Sequence, residues 1–110
     1  MAAEYTITVP TQVGNLVADT LYHLTREAGG CTSVRADGSW FNPEGQRVNE
    51  SVNQLTFIVP YERREGVLAL LRSLVRDLHF YGEHTVLVRR LDGRGLVHWF
   101  ITKDNEGELQ

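Results

Sequence analysis

Between Glu62 and Phe80 the residues Val67, Leu70, Leu71, Leu74, Val75 and Leu78 recur at three- and four-residue steps. They form one broad apolar stripe on a helix, and a stripe that wide must lie against a second layer. The rest of the chain reads as that layer. Tyr5-Thr-Ile-Thr-Val9 alternates apolar and polar residues and ends at Pro10, the pattern of a half-buried strand. Asn53–Val59 presents Leu55, Phe57 and Val59 on one side and stops at Pro60. Thr85–Leu91 and Leu96–Thr102 are strand-like, with the hairpin signal Asp92-Gly-Arg-Gly95 between them. A second helical period, Val13, Leu16, Val17, Leu21, Leu24 and Ala28, follows a capping residue at Thr11 and stops at Gly29-Gly30.

Residues 31–50 read as short strands broken by turns at Asp37-Gly38 and Pro43-Glu-Gly45. The order β-α-β-β-α-β predicts an α+β domain, a ferredoxin-like sandwich with an extra small hairpin in the middle and an extra C-terminal strand. Residues 1–103 form this single domain. The acidic run from Asp104 to Gln110 is expected to fray.

The last strand points Leu96, His98 and Phe100 one way and Val97, Trp99 and Ile101 the other. Both sides are apolar, whereas helices cover only one face of a two-layer domain. Another copy of the chain is the expected cover, which predicts a homo-oligomer.

Composition narrows the function. The net charge of −3 over 110 residues argues against general affinity for nucleic acid. Ten of the 11 basic residues are Arg, concentrated after residue 60, and arginine suits paired contact with carboxylate or phosphate. Cys31 is the only cysteine, so no intrachain disulfide and no cysteine-based zinc site is expected. No secretory pattern and no apolar run of spanning length is present, so a cytoplasmic protein away from membranes is expected.

The segment Gly29-Gly-Cys-Thr-Ser-Val34, Gly38-Ser-Trp40, Pro43-Glu-Gly45, Val48-Asn-Glu50 and Leu55–Pro60 resembles a family of small bacterial proteins of unknown function. That family combines Gly-x-Thr-x-Val, Gly-x-Trp and Pro-x-Gly, and its second helix precedes Gly-Gln-Glu-x-Val. Here that last motif corresponds to Gly82-Glu-His-Thr-Val86, with His84 where the family tends to carry an acid. The general shape is also similar to nitrogen-regulatory PII-like proteins, which implies ligand binding between subunits.

No phosphate loop, dinucleotide fingerprint or nucleophile elbow occurs. Cys31 has no legible orienting partner, and His23, His79, His84 and His98 lack helix or strand spacing for a metal, so neither a nucleophile nor a metal site is assigned. No cofactor is expected. Glu50 and Glu83 are the acids that stand in apolar surroundings, and neither has a partner visible in the sequence.

The residues that remain are Trp40, able to stack on a ring; Arg90, able to hold an anion; and Glu83 and His84, able to hydrogen-bond. They predict a non-enzymatic binding module, a homo-oligomer holding a small anionic ligand or a partner protein at an intersubunit cleft. The alternatives are a small enzyme using His84 and Glu83 as acid and base, or a purely structural protein such as a phage-encoded or accessory subunit.

Overall fold

A computed structural model describes residues 2–110. Its elements are β1 (Ala2–Pro10), α1 (Ala18–Ala28), β2 (Thr32–Phe41), β3 (Arg47–Pro60), α2 (Arg64–Phe80), β4 (Val86–Asp92) and β5 (Gly95–Ile101). Short 3-10 turns at Thr11–Val17 and Tyr61–Arg63 lead into the two helices, and a third lies at Glu106–Glu108. The strands form one antiparallel sheet in the order β2-β3-β1-β4-β5. The molecule is thus α+β, with a five-stranded sheet and two helices.

The period-2 pattern sets the register. Tyr5 faces Phe57, Ile7 faces Leu55 and Val88, and Ala3 faces Val59. These side chains, with Val86 and Ile101, make the helix-facing side of the sheet and are buried. Leu24 and Ala28 of α1, and Val67, Leu71, Leu74, Val75 and Leu78 of α2, close over them in one core. The helices are tied together where the Thr20 hydroxyl donates to Asp77 at 2.6 Å.

Four local expectations change. Thr11 does not cap α1: Gly14 and Asn15 are poor helix formers, the first turns tighten into a 3-10 stretch, and no side-chain cap bond forms there. Gly29 does end the helix, with a left-handed φ of 90° and its N–H on the Thr25 and Arg26 carbonyls. Asp37-Gly38 is not a turn, and the extra small hairpin is absent among the described residues. Both positions lie inside β2, which pairs with β3 without a break from Thr32 to Phe41. The reversal comes later, where Asn42 Oδ1 accepts the Gln46 N–H at 2.8 Å and Gly45 takes a φ of 78°.

The fourth change is the tail. Residues 104–110 fold back instead of fraying: Leu109 is fully buried, and Arg72 Nη2 donates to its carbonyl at 2.7 Å. One apolar side chain entering the core outweighs the polar composition around it.

Among the described residues no helix lies on the other side of the sheet. Across it, Ile58, Glu4, Leu91 and Leu96 face one another in a row, and Thr32, Thr56, Thr6, Arg89 and His98 form the next. Val34, Trp40, Ile58, Leu91, Leu96 and Phe100 stand exposed on this face. Trp99, pointing the opposite way, packs on the core. The two-sided apolar pattern of β5 therefore leaves one side in the interior and one on the surface.

Candidate functional site

β1 is shorter than its neighbour. Its last pairing is Pro10 with Val52, while β3 begins five residues earlier at Arg47. Residues 37–51 of the β2–β3 pair thus run past the end of β1 as a two-stranded ribbon. On the other flank, β4 starts at Val86, and the loop from α2 arrives at the same end of the sheet. That loop is anchored by the Glu83 N–H, which donates to the Leu78 carbonyl at 3.0 Å. A corner results, with the ribbon on one side and Glu83-His84 on the other.

Glu50 points into this corner's electrostatics from β3, on the open face, opposite Gly38. Burial pushes the Glu50 carboxyl above the ordinary carboxylate range, and the charge of Glu83 pushes it further. Burial likewise raises Glu83, and the adjacent His84 pulls it partly back. A half-buried Glu50 that feels the charge of Glu83 favours taking up a proton or a cation at this corner. Trp40 lies on the same face of the ribbon. A methyl group on Gly38 would meet Val52 at 3.7 Å and the Trp40 ring at 3.9 Å, so indole, glycine and valine make a contiguous apolar floor beside Glu50.

Of the four residues singled out from the sequence, Glu83 and His84 sit together, and Trp40 shares the face of Glu50. Arg90 is elsewhere. It lies on the helix side of β4 opposite Tyr5, its Nε 3.3 Å from Asp92, its Nη1 donating to the Gln110 carbonyl at 2.8 Å, and its guanidinium 5.4 Å above the Trp99 ring. Its charge is committed to the fold. Glu50 completes the group in its place. Its apolar setting was the available signal, but its partner Glu83 lies beyond a whole helix in sequence.

Other chemistry-bearing residues do not join the corner. His79 is buried, with Nε2 on the Ile101 carbonyl at 3.0 Å and Nδ1 on the Glu106 carboxylate, which ties α2 to the tail. Cys31 is exposed, and partial burial raises its thiol while a main-chain hydrogen bond at Thr56 opposes this. Among the described residues no cluster of three or more His, Cys, Asp or Glu is arranged to hold a metal ion. No helix among them is long and apolar enough to cross a membrane.

No protein-family model and no curated protein matches the chain. Solved structures do. A phage SAM lyase in complex with S-methyl-5'-thioadenosine superposes with a TM-score of 0.65 at 22% identity, covering 94% of this chain and 92% of that one. The same kind of enzyme in its apo state gives 0.57 at 22% identity, over 90% and 89% of the two chains. A Bacillus cereus protein related to NIF3 gives 0.55 at 18% identity, over 87% of this chain but 28% of that one. At these identities the likeness is one of fold, and with the phage lyase it runs over nearly the whole of both chains.

Proposed function

We propose that this chain is a ferredoxin-like domain with one added C-terminal strand, and that it acts as a small homo-oligomeric lyase on a sulfonium nucleoside of the S-adenosylmethionine type. The observation that carries the reading is the Glu50–Glu83 pair. Two acids raised by burial, with the charge of Glu83 pushing Glu50 further, call for a cationic ligand, and a sulfonium with an ammonium supplies one. The fold shared with a SAM lyase supports the choice among cations, and the strand order supports the ferredoxin-like assignment.

Each group has a role that follows from its chemistry. Trp40 offers a ring to stack against the purine. Glu50 and Glu83 hold the positive charges, and His84 favours the ionised form of Glu83 against the effect of burial. In the reaction, the bond from the sulfonium sulfur to the amino-acid chain breaks and its electron pair goes to sulfur. A lyase adds no water, so the carbon takes its new pair from within the substrate, whose own carboxylate is the nearest donor. Charge is lost from sulfur as the reaction proceeds, which a partly desolvated corner favours. The overhanging ribbon and the uncovered face support assembly, since a two-stranded ribbon is only marginally stable alone. A neighbouring copy would close the corner into a cleft.

The test is incubation of the purified protein with S-adenosylmethionine, followed by chromatography for S-methyl-5'-thioadenosine. Formation of that product, lost at least about 100-fold in Glu50→Gln and Glu83→Gln, is the expected result. Retained binding without product would favour the ligand-binding module instead. The absence of both turnover and binding would overturn the assignment.

A further inference from the structure

A cavity lies at the end of the sheet opposite the acidic corner, where β1 begins. Ala2, Ala3 and Val59 form its floor, Tyr61 and Arg64 stand at the start of α2, and the β4–β5 turn Asp92-Gly93-Arg94 closes it. Its volume is about 200 Å³, room for a tetrahedral oxyanion with several waters at roughly 30 Å³ each. β1 runs its full length, from Ala2 to Pro10, between this cavity and the acidic corner.

Charge accounting identifies what the cavity suits. Asp92 is its acid, and both carboxylate oxygens are occupied. Oδ1 accepts the Arg94 main-chain N–H at 2.8 Å, and Oδ2 faces Arg90 Nε at 3.3 Å. Arg90 therefore neutralises Asp92. The guanidiniums of Arg64 and Arg94 have no acid within ion-pair distance and no side-chain hydrogen bond among the described residues. Arg64 is half-buried and Arg94 exposed, so both guanidiniums are open to an anion arriving from solvent. The start of α2 leaves main-chain N–H groups without a side-chain cap, although Glu62 and Glu65 in these first turns offset its positive field. Glu62 and Glu65 are exposed and line no part of the cavity.

We propose that this cavity is a phosphoryl-binding site in which Arg64 and Arg94 grip the anion from opposite walls, separate from the acidic corner and independent of its proposed function. Two guanidiniums give paired donors matched to phosphate oxygens. The experiment is an amide NMR titration of the full chain with inorganic phosphate and, separately, glycerol 3-phosphate, against chloride at matched ionic strength. The expected result is saturable shifts centred on Arg64, Gly93 and Arg94, weakened at least about tenfold in Arg64→Gln and in Arg94→Gln. Arg63→Gln, which removes the same charge from outside the cavity, should bind as the parent does, and undisturbed spectra of the free variants check the fold. Tighter binding of the monoester identifies an organic phosphate, and equal binding identifies the free anion; both support the site. Shifts no greater than those from chloride, shifts centred elsewhere, or equal losses in all three variants would overturn it.

Discussion

Glu50 and Glu83 show what single residues reveal and hide. Each is visible in the sequence as an acid in apolar company. Their relation is not visible, because it depends on β1 stopping short and on α2 returning the chain to the same end of the sheet. Arg90 shows the converse: its chemistry was legible, but its partners, Asp92, Trp99 and the Gln110 carbonyl, come from three separate places in the fold. The raised acids also fix the sign of a pH effect. A carboxyl whose folded pKa lies above its unfolded value of about 4.5 binds more protons when folded, so stability falls as pH rises through the interval above that value. Glu50→Gln and Glu83→Gln should therefore melt slightly higher than the parent at pH 7, by roughly 2 °C, and equally with it below about pH 4. Ligand binding should show the opposite trend, since a cation requires the ionised acids, and affinity should weaken as pH falls through the same interval. Melting curves across pH 4–8, with and without S-adenosylmethionine, separate the two. Variants that melt lower than the parent at pH 7 would mean that the folded state does not disfavour the ionised acids.

At the scale of elements, both helices and the strands β1, β3, β4 and β5 follow from their apolar pattern, because each reaches the core and shows it locally, whereas β2 buries none of its residues and so shows no such pattern. What failed was local chemistry outvoted by pairing. Asp37-Gly38 has turn residues, yet strand β3 is there to pair with it, and the ladder wins. The tail failed for a related reason, since its composition is polar and only Leu109 matters. That side chain enters the core, Arg72 holds its carbonyl, and Glu106 meets buried His79. Leu109→Ala should cost about 2–3 kcal/mol, lowering the melting temperature by about 10 °C, as for other buried leucines. Arg72→Ala should cost less, about 1 kcal/mol, because it loses hydrogen bonds at a partly solvated site. Thermal unfolding measures both; a tail that merely rests on the surface would leave the parent melting point unchanged in each.

For the whole molecule, the sheet is the organising fact. One side is sealed by two helices, and the other presents six exposed large apolar residues in and around a polar row. The two edges of the sheet, β2 and β5, carry the ends of this surface, with Trp40 on one and Leu96 and Phe100 on the other. An open sheet face on which apolar groups, at both edges and at Ile58 and Leu91 on the inner strands, alternate with Glu4, Thr6, Arg89 and His98 is suited to a partner of the same mixed pattern. A second copy meets that description by construction. It would also bury the flank of the ribbon that carries Trp40, which links assembly to the acidic corner. Phe100 and Leu96 point away from the core, so changing them leaves the interior intact. Phe100→Glu with Leu96→Glu should therefore convert a multiple of the 12.5 kDa chain into the single chain in native mass spectrometry, with a melting temperature set by the monomer alone. Product formation from S-adenosylmethionine should fall with it, although neither residue lies at the corner. A doubly substituted protein that keeps both its assembled mass and its turnover would show that the copies meet elsewhere, and the uncovered face would then belong to a different partner.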